Sequence, residues 1–148
     1  MTMKKILIFC ICAFVLLSIA GCSASSGPAV TPQEDTIQKI YFQKTNIDEQ
    51  KNYTYTEKEI TDAKMIRNFC KAINSLTLQE EDPLKYSDVE YLVVFECGKR
   101  HKLMILKEDI IYDGATYKSV KGNLRETFSE LFDGLAVEEK KTTSKLFS

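Results

Sequence analysis

The strongest constraint on this chain is an uncharged apolar run near its N-terminus. Lys4 and Lys5 come first, and residues 6–21 then contain no charged side chain. A helix of these sixteen residues spans about 24 Å, which is short of the roughly 30 Å hydrocarbon core of a bilayer. The pattern therefore predicts a secretory signal, residues 1–21. A permanent anchor helix is the alternative, but Ser23–Gly27 supplies no charge to stop transfer.

The run ends in Ile19, Ala20, Gly21 and Cys22: an aliphatic residue, a small residue, glycine and cysteine. This pattern resembles the lipobox of bacterial lipoproteins. The resemblance implies that a diacylglyceryl group is added to Cys22, such as one carrying palmitate, and that the chain is cut before it. Two acyl chains hold a protein stably on a bilayer, at about 0.8 kcal/mol per buried CH₂, where one is marginal. The implied location is the extracytoplasmic face of the cell membrane, with the lipid bilayer as a partner through acylated Cys22.

The charge balance is mild. The chain has 20 Lys and Arg against 21 Asp and Glu, for a formal net charge of −1. Removal of Lys4 and Lys5 with the signal makes the balance slightly more acidic. Because nucleic-acid-binding domains show a basic excess, we expect no nucleic acid as a partner.

The five cysteines have different predicted fates. Cys10 and Cys12 leave with the signal peptide, and Cys22 is the lipid attachment site. Cys70 and Cys97 stay in an exported domain, where disulfides persist. Two readings are open for this pair: a disulfide bond, or two free thiols packed as small apolar side chains.

Composition divides the remaining chain into three parts. Residues 22–34 are rich in Ser, Ala, Gly, Pro and Thr and predict a flexible tether. Residues 35–137 contain all the apolar periodicity and predict one domain. Residues 138–148 are charged and polar and predict a frayed tail.

Apolar spacing assigns the elements of the domain. Ile66, Phe69 and Ile73 recur at three and four residues and share one helix face. Stretches in which apolar and polar residues alternate, or in which β-branched and aromatic residues gather, predict strands. The polar stretch 44–52 and the acidic stretch 77–88 predict loops. The predicted elements are strands Thr36–Gln43 and Tyr53–Ile60, a helix capped by Thr61 or Asp62 that ends near Leu76, strands Val89–Cys97, Arg100–Lys107 and Asp109–Asp113, and a helix from the Asn123 cap to Gly134. Residues Ala115–Val120 either complete a hairpin with Asp109–Asp113 or cap the sheet edge.

Short connections between strands imply antiparallel pairing, and two amphipathic helices need a sheet face to cover. The sequence thus predicts an α+β fold: a two-layer domain with a mostly antiparallel sheet of four to five strands and two helices on one face. A Gly98-Lys99 turn, an Asp113-Gly114 turn and a terminal helix also resemble small uncharacterised lipoprotein domains of Gram-positive bacteria. That resemblance implies a location and a fold but no activity.

Residue patterns for chemistry are weak. The only histidine, His101, has no nucleophile signature beside it. Glu80, Glu81 and Asp82 lack the spacing of a calcium loop, and no phosphate-binding glycine loop is present. We expect no catalytic residue, no metal site and no cofactor.

Two surface features have both a functional and a plain reading. Lys99, Arg100, His101 and Lys102 form a basic cluster that could contact anionic lipid or wall polymer, or could simply be a solvated turn that blunts a sheet edge. Tyr53 and Tyr55 share a strand face; they could form a recognition surface or pack half-buried.

The sequence therefore favours a membrane-anchored binding or accessory module for a protein or an envelope component, with no chemistry of its own. The alternatives are a small envelope enzyme with a carboxylate-based site, and a structural or sensory subunit of a membrane complex.

Overall fold

A computed structural model describes residues 27–84 and 88–145 of the chain. The predicted signal peptide, residues 1–21, and the predicted lipid site Cys22 lie outside these residues. Within the described ranges, no helix has the length and apolar character needed to cross a membrane.

Eight strands form one sheet in the spatial order β3-β7-β6-β5-β4-β1-β2-β8. Every neighbouring pair is antiparallel. Two helices complete the domain, so the α+β class is as predicted. The elements in chain order are β1 (Lys39–Ile47), β2 (Tyr53–Ile60), α1 (Ala63–Asn74), β3 (Leu78–Glu81), β4 (Tyr91–Cys97), β5 (Lys99–Ile105), β6 (Asp109–Tyr112), β7 (Ala115–Ser119), α2 (Leu124–Gly134) and β8 (Glu139–Thr142).

Both helices pack on one face of the sheet, around Phe42 of β1. The centroid of the Phe42 ring lies 5.3 Å from that of Phe69 of α1 and 5.0 Å from that of Phe132 of α2. Phe128 of α2 lies 6.2 Å away, in an edge-to-face arrangement. Such geometry adds to the gain from burial itself.

The N-caps of the two helices are residues that the sequence predicted as caps. Asp62 Oδ1 accepts the Met65 N–H at 2.8 Å, and Asn123 Oδ1 accepts the Glu126 N–H at 3.3 Å. Each side chain satisfies a backbone donor that the first helical turn leaves free. Of the two caps considered for α1, Asp62 is the one used.

The opposite face of the sheet is buried only at its centre. Leu92, Val94 and Ile111 are covered there, and Gln43 is 1% exposed. The chain after β8 crosses this face, where Gln43 Nε2 donates to the Ser144 carbonyl at 3.4 Å. β4 is therefore a central strand buried on both sides.

The predicted count of four to five strands is too low, because both edges of the sheet come from polar stretches. β3 arises in the predicted acidic loop 77–88, and β8 arises in the predicted frayed tail 138–148. An edge strand pairs on one side only and exposes most of its side chains, so it needs little apolar alternation. β3 buries only Leu78.

The predicted tether 22–34 also differs in its described part. Val30 is 1% exposed within the core, and Thr31 exchanges hydrogen bonds with Asn74 at the end of α1. The ordered domain thus begins before residue 35. β1 likewise starts later than predicted and extends through the first four residues of the predicted loop 44–52.

Candidate binding site

The basic cluster lies on β5, and carboxylates compensate much of it. Arg100 Nε lies 3.3 Å from Glu96 Oε1. His101 Nδ1 contacts Asp113 Oδ2, and the Lys102 N–H donates to Asp113 Oδ1 at 2.9 Å. Ion pairing weakens the attraction that this cluster offers to an outside anion. Its contact with anionic lipid or wall polymer stays a prediction. Lys99 and Arg100 are exposed at the turn, whereas His101 and Lys102 are half-buried.

Cys70 and Cys97 both face the helix layer, but their environments differ. Cys70 is fully buried on α1, and burial raises the pKa of its thiol to about 12. Cys97 is half-buried at the end of β4, with Sγ 3.7 Å from the Lys99 carbonyl oxygen. Both are free thiols in the structure, and a bond between them stays a prediction.

In the described part of the chain, no three His, Cys, Asp or Glu side chains converge as metal ligands do. Glu80 and Glu81, considered above for calcium, lie along β3 with their side chains in solvent.

Two cavities open at the end of the sheet where β1 finishes and β4 begins. One is about 480 Å³ and opens towards α2; the other is about 410 Å³ and opens on the far face. Thr45, Asp88 and Val89 line both. We call the two cavities together the end groove.

The β1–β2 hairpin forms the rim of the end groove and presents two apolar side chains. Ile47 and Tyr53 are opposite each other in the β1–β2 register and are 53% and 45% exposed. The turn behind them is held by Asp48, whose carboxylate accepts the Asn52 N–H at 2.8 Å and Asn52 Nδ2 at 2.9 Å. These bonds lower the pKa of Asp48. The two side chains are thus displayed on a fixed turn.

Charged groups line the floor of the groove. Arg125 of α2 forms a two-nitrogen ion pair with Glu90, with Arg125 Nε 2.9 Å from Glu90 Oε2. The Tyr53 hydroxyl donates to Asp88 Oδ1 at 3.3 Å, and the negative charge of Asp88 raises the Tyr53 pKa. Both carboxylates of the groove therefore have partners.

Lys44 is a second cation of the groove and, unlike Arg125, forms no ion pair within the part of the chain that the structure describes. It lies in the α2-side cavity, and its Nζ is 5.9 Å from the centroid of the Phe132 ring. Among the described residues, no carboxylate lies within ion-pair distance of Lys44 Nζ. The groove thus offers an uncompensated ammonium beside an apolar rim.

No protein-family model, curated protein or solved structure matches this chain.

The sequence anticipated part of this site. Tyr53 was considered as a recognition residue, and the structure places it at the rim; Tyr55 lies half-buried beside it. Ile47 and Lys44 were missed because the stretch around them was predicted to be a loop. The signal that could have found them is the match of an apolar residue before the turn with a tyrosine after it, which is typical of a hairpin.

Proposed function

We propose that this protein is a lipid-anchored binding module on the outer face of the cytoplasmic membrane. Cys22 is its lipidated residue, and the end groove is its docking site for a partner protein. The observation that supports docking is the exposed pair Ile47 and Tyr53 on a fixed turn beside two cavities.

Ile47 and Tyr53 together expose apolar area at the rim of the end groove. Single exposed apolar side chains are ordinary, but adjacent ones next to a concavity are typical of interaction sites. Full burial of an exposed isoleucine side chain contributes about 1.5–3 kcal/mol, and Ile47 is 53% exposed, so covering it stabilises a complex by roughly half of that. Aromatic side chains are also enriched in the centres of interfaces. The pair of Ile47 and Tyr53 combines the two features: adjacent exposed apolar side chains beside a cavity, and an aromatic ring.

The charge of the groove selects the chemistry of the partner. Glu90 and Asp88 are already engaged, whereas Lys44 has no carboxylate partner in the described chain. A partner segment could neutralise the Lys44 ammonium with a carboxylate and cover the Ile47 side chain with an apolar one. The partner class is therefore a protein segment with adjacent acidic and apolar residues.

Site-specific cross-linking in intact cells tests this proposal. A photo-reactive amino acid replaces Ile47 in the full chain, and its matched control replaces Val120, which is equally exposed at 53%. The expected result is one protein cross-linked from position 47 and absent from position 120. Ile47→Asp in a chain carrying the cross-linker at position 53 should reduce the yield at least tenfold.

Other outcomes overturn the docking proposal. Equal cross-linking from both positions would mean non-specific contact. Cross-linking from position 47 to wall polymer alone would mean that the groove binds an envelope component and not a protein.

The lipid anchor is tested separately. Cys22→Ser should abolish incorporation of labelled fatty acid and leave the chain unprocessed or released from lipid attachment. A variant that still takes up the label would show that Cys22 is not the acylated residue. Because this readout does not involve the groove, the anchor and the docking site succeed or fail independently.

A further inference from the structure

The two edge strands of the sheet carry opposite charge. β3 exposes Glu80 and Glu81, whereas β8 exposes Lys140 and Lys141. We propose that copies of this chain associate edge to edge, with β8 of one copy pairing antiparallel with β3 of the next. The partner is thus a second copy of the chain, and repeated pairing continues the sheet.

Strand direction permits this contact without turning either copy over. All eight strands alternate in direction, so β3 and β8 run in opposite senses. A neighbour in the same orientation therefore places its β3 antiparallel to β8. Gly27, beside the backbone of Leu78, then lies at the same end of every copy. Anchoring of all copies in one membrane, which rests on the proposed role of Cys22, requires this arrangement.

The backbone of β3 has free groups at the required positions. The Val120 N–H donates to the Thr77 carbonyl at 3.0 Å, which sets the phase of the β3–β7 ladder. Bonded residues alternate along an antiparallel strand. Residues 79 and 81 therefore bond towards β7, and the N–H and C=O of Glu80 point away from the sheet.

β8 also has outward-pointing backbone groups at the required position. The Asp48 N–H donates to the Asn52 carbonyl at 3.1 Å, so the even-numbered residues of β2 bond towards β1. The odd-numbered residues of β2 face β8, and Glu57 is opposite Lys140. Lys140 therefore bonds inward, and the N–H and C=O of Lys141 point outward.

One register satisfies the backbone and both charge pairs. Placing Lys141 opposite Glu80 joins two residues whose backbone groups point outward. The next pair is then Lys140 opposite Glu81. Opposite charges directly across strands contribute about 0.2–1 kcal/mol per pair.

Side-chain direction agrees with this register. Glu80 is on the helix side of the sheet, because it is two residues from the core residue Leu78. Lys141 is opposite Thr56, which shares the helix side with the core residue Ile60. The helix layers of neighbouring copies thus lie on the same side of the continued sheet.

The contact is small. Each strand has four residues, and Gly27 already lies beside Leu78, so the open part of the β3 edge begins at Gln79. Such an interface falls below the roughly 1,200 Å² of stable complexes. Confinement of copies to one membrane raises their effective concentration and makes a weak contact sufficient.

Energy transfer between copies tests the proposal. Full-length chains with a donor or an acceptor at the C-terminus are placed together in vesicles of zwitterionic phosphatidylcholine. Wild-type chains should show transfer above that of E80K/E81K chains and of K140E/K141E chains, each measured alone. Mixing the two variants should restore transfer, because each then offers an edge complementary to the other.

A matched variant controls for the change in net charge. E49K/E108K makes the same change at two exposed acids away from both edges and should keep wild-type transfer. Circular dichroism checks that every variant folds. In wild-type vesicles, carbodiimide should join Glu80 or Glu81 to Lys140 or Lys141 of another copy.

Three results overturn the proposal. The first is wild-type transfer no higher than that of E80K/E81K chains. The second is a loss in both variants that mixing does not restore. The third is carbodiimide products that join other residues and never these.

Discussion

Lys58 Nζ lies 2.7 Å from the carbonyl oxygen of Phe132, and a lysine on a strand thereby caps the end of a helix. The same ammonium is 3.0 Å from the Leu135 carbonyl and 3.3 Å from Glu139 Oε1. The side chain of Lys58 is only 4% exposed. A cation at a helix C-terminus satisfies free carbonyls and the helix dipole.

Replacing this lysine should destabilise the domain. Lys58→Met keeps the length of the side chain but removes the ammonium that donates to the Phe132 and Leu135 carbonyls. The Phe132 carbonyl then keeps only the longer bond from the Leu135 N–H at 3.3 Å, and the loss costs about 1–3 kcal/mol. Urea unfolding followed by circular dichroism measures the change. Lys39→Met, which removes a half-exposed ion pair with Glu59, is the matched control and should cost less than about 1 kcal/mol. Equal stability of both variants would show that the helix cap contributes nothing.

Phe42 should be the most sensitive core position tested. It contacts rings of both helices, so Phe42→Ala opens a cavity between the layers and should cost about 3–5 kcal/mol. The measurement is the midpoint of urea unfolding. Val120→Ala on the surface should change stability by less than about 0.5 kcal/mol. A Phe42→Ala loss as small as this would mean that the layers are not joined through the ring.

Alkaline pH should lower the free energy of unfolding of the reduced protein. Burial raises the pKa of Cys70 from 9.0, and that of Tyr112 from 10.0, to about 12 each. Between the unfolded and folded pKa values the unfolded state has lost protons that the folded state keeps, so stability falls as pH rises. The decline should begin near pH 9 and continue towards pH 12.

Unfolding by urea at several pH values from 8 to about 11 measures this decline. Tyr112→Phe should make it shallower above pH 10, since it removes one of the two groups. A wild-type decline no steeper than that of Tyr112→Phe would contradict the raised pKa of the half-buried Tyr112 phenol.

Thiol labelling should separate the two cysteines of the domain. Maleimide should modify half-buried Cys97 in the native, reduced chain and reach fully buried Cys70 only after denaturation. If the two form a disulfide in the exported protein, the unreduced, denatured domain will show neither thiol. Rapid native labelling of Cys70 would contradict its burial.

Elements whose local sequence alone favours their structure could be predicted. β2 was predicted with its observed bounds, Tyr53–Ile60, because polar and β-favouring residues alternate there. Gly98 was predicted to form a turn, and its φ of 80° is one that glycine adopts easily. In these cases the local sequence and the tertiary environment favour the same backbone conformation.

The sequence could not show elements that depend on distant partners. β8 is polar and becomes a strand only because β2 lies beside it. Lys58 has the residue type of an exposed position, yet it is buried because the end of α2 arrives above it. The end groove likewise combines β1, the start of β4 and α2, and no local pattern relates these segments.

The burial of Val30 limits how far this protein can reach. With Cys22 as the attachment point and Val30 fixed in the core, only the residues between them span the gap to the bilayer. Fully extended, they cover roughly 25 Å at about 3.5 Å per residue. Under the proposed anchoring at Cys22, the domain would therefore stay within a thin layer above the lipid surface. The proposed partner would have to enter that layer, which favours other membrane-bound proteins over those that diffuse freely in the envelope.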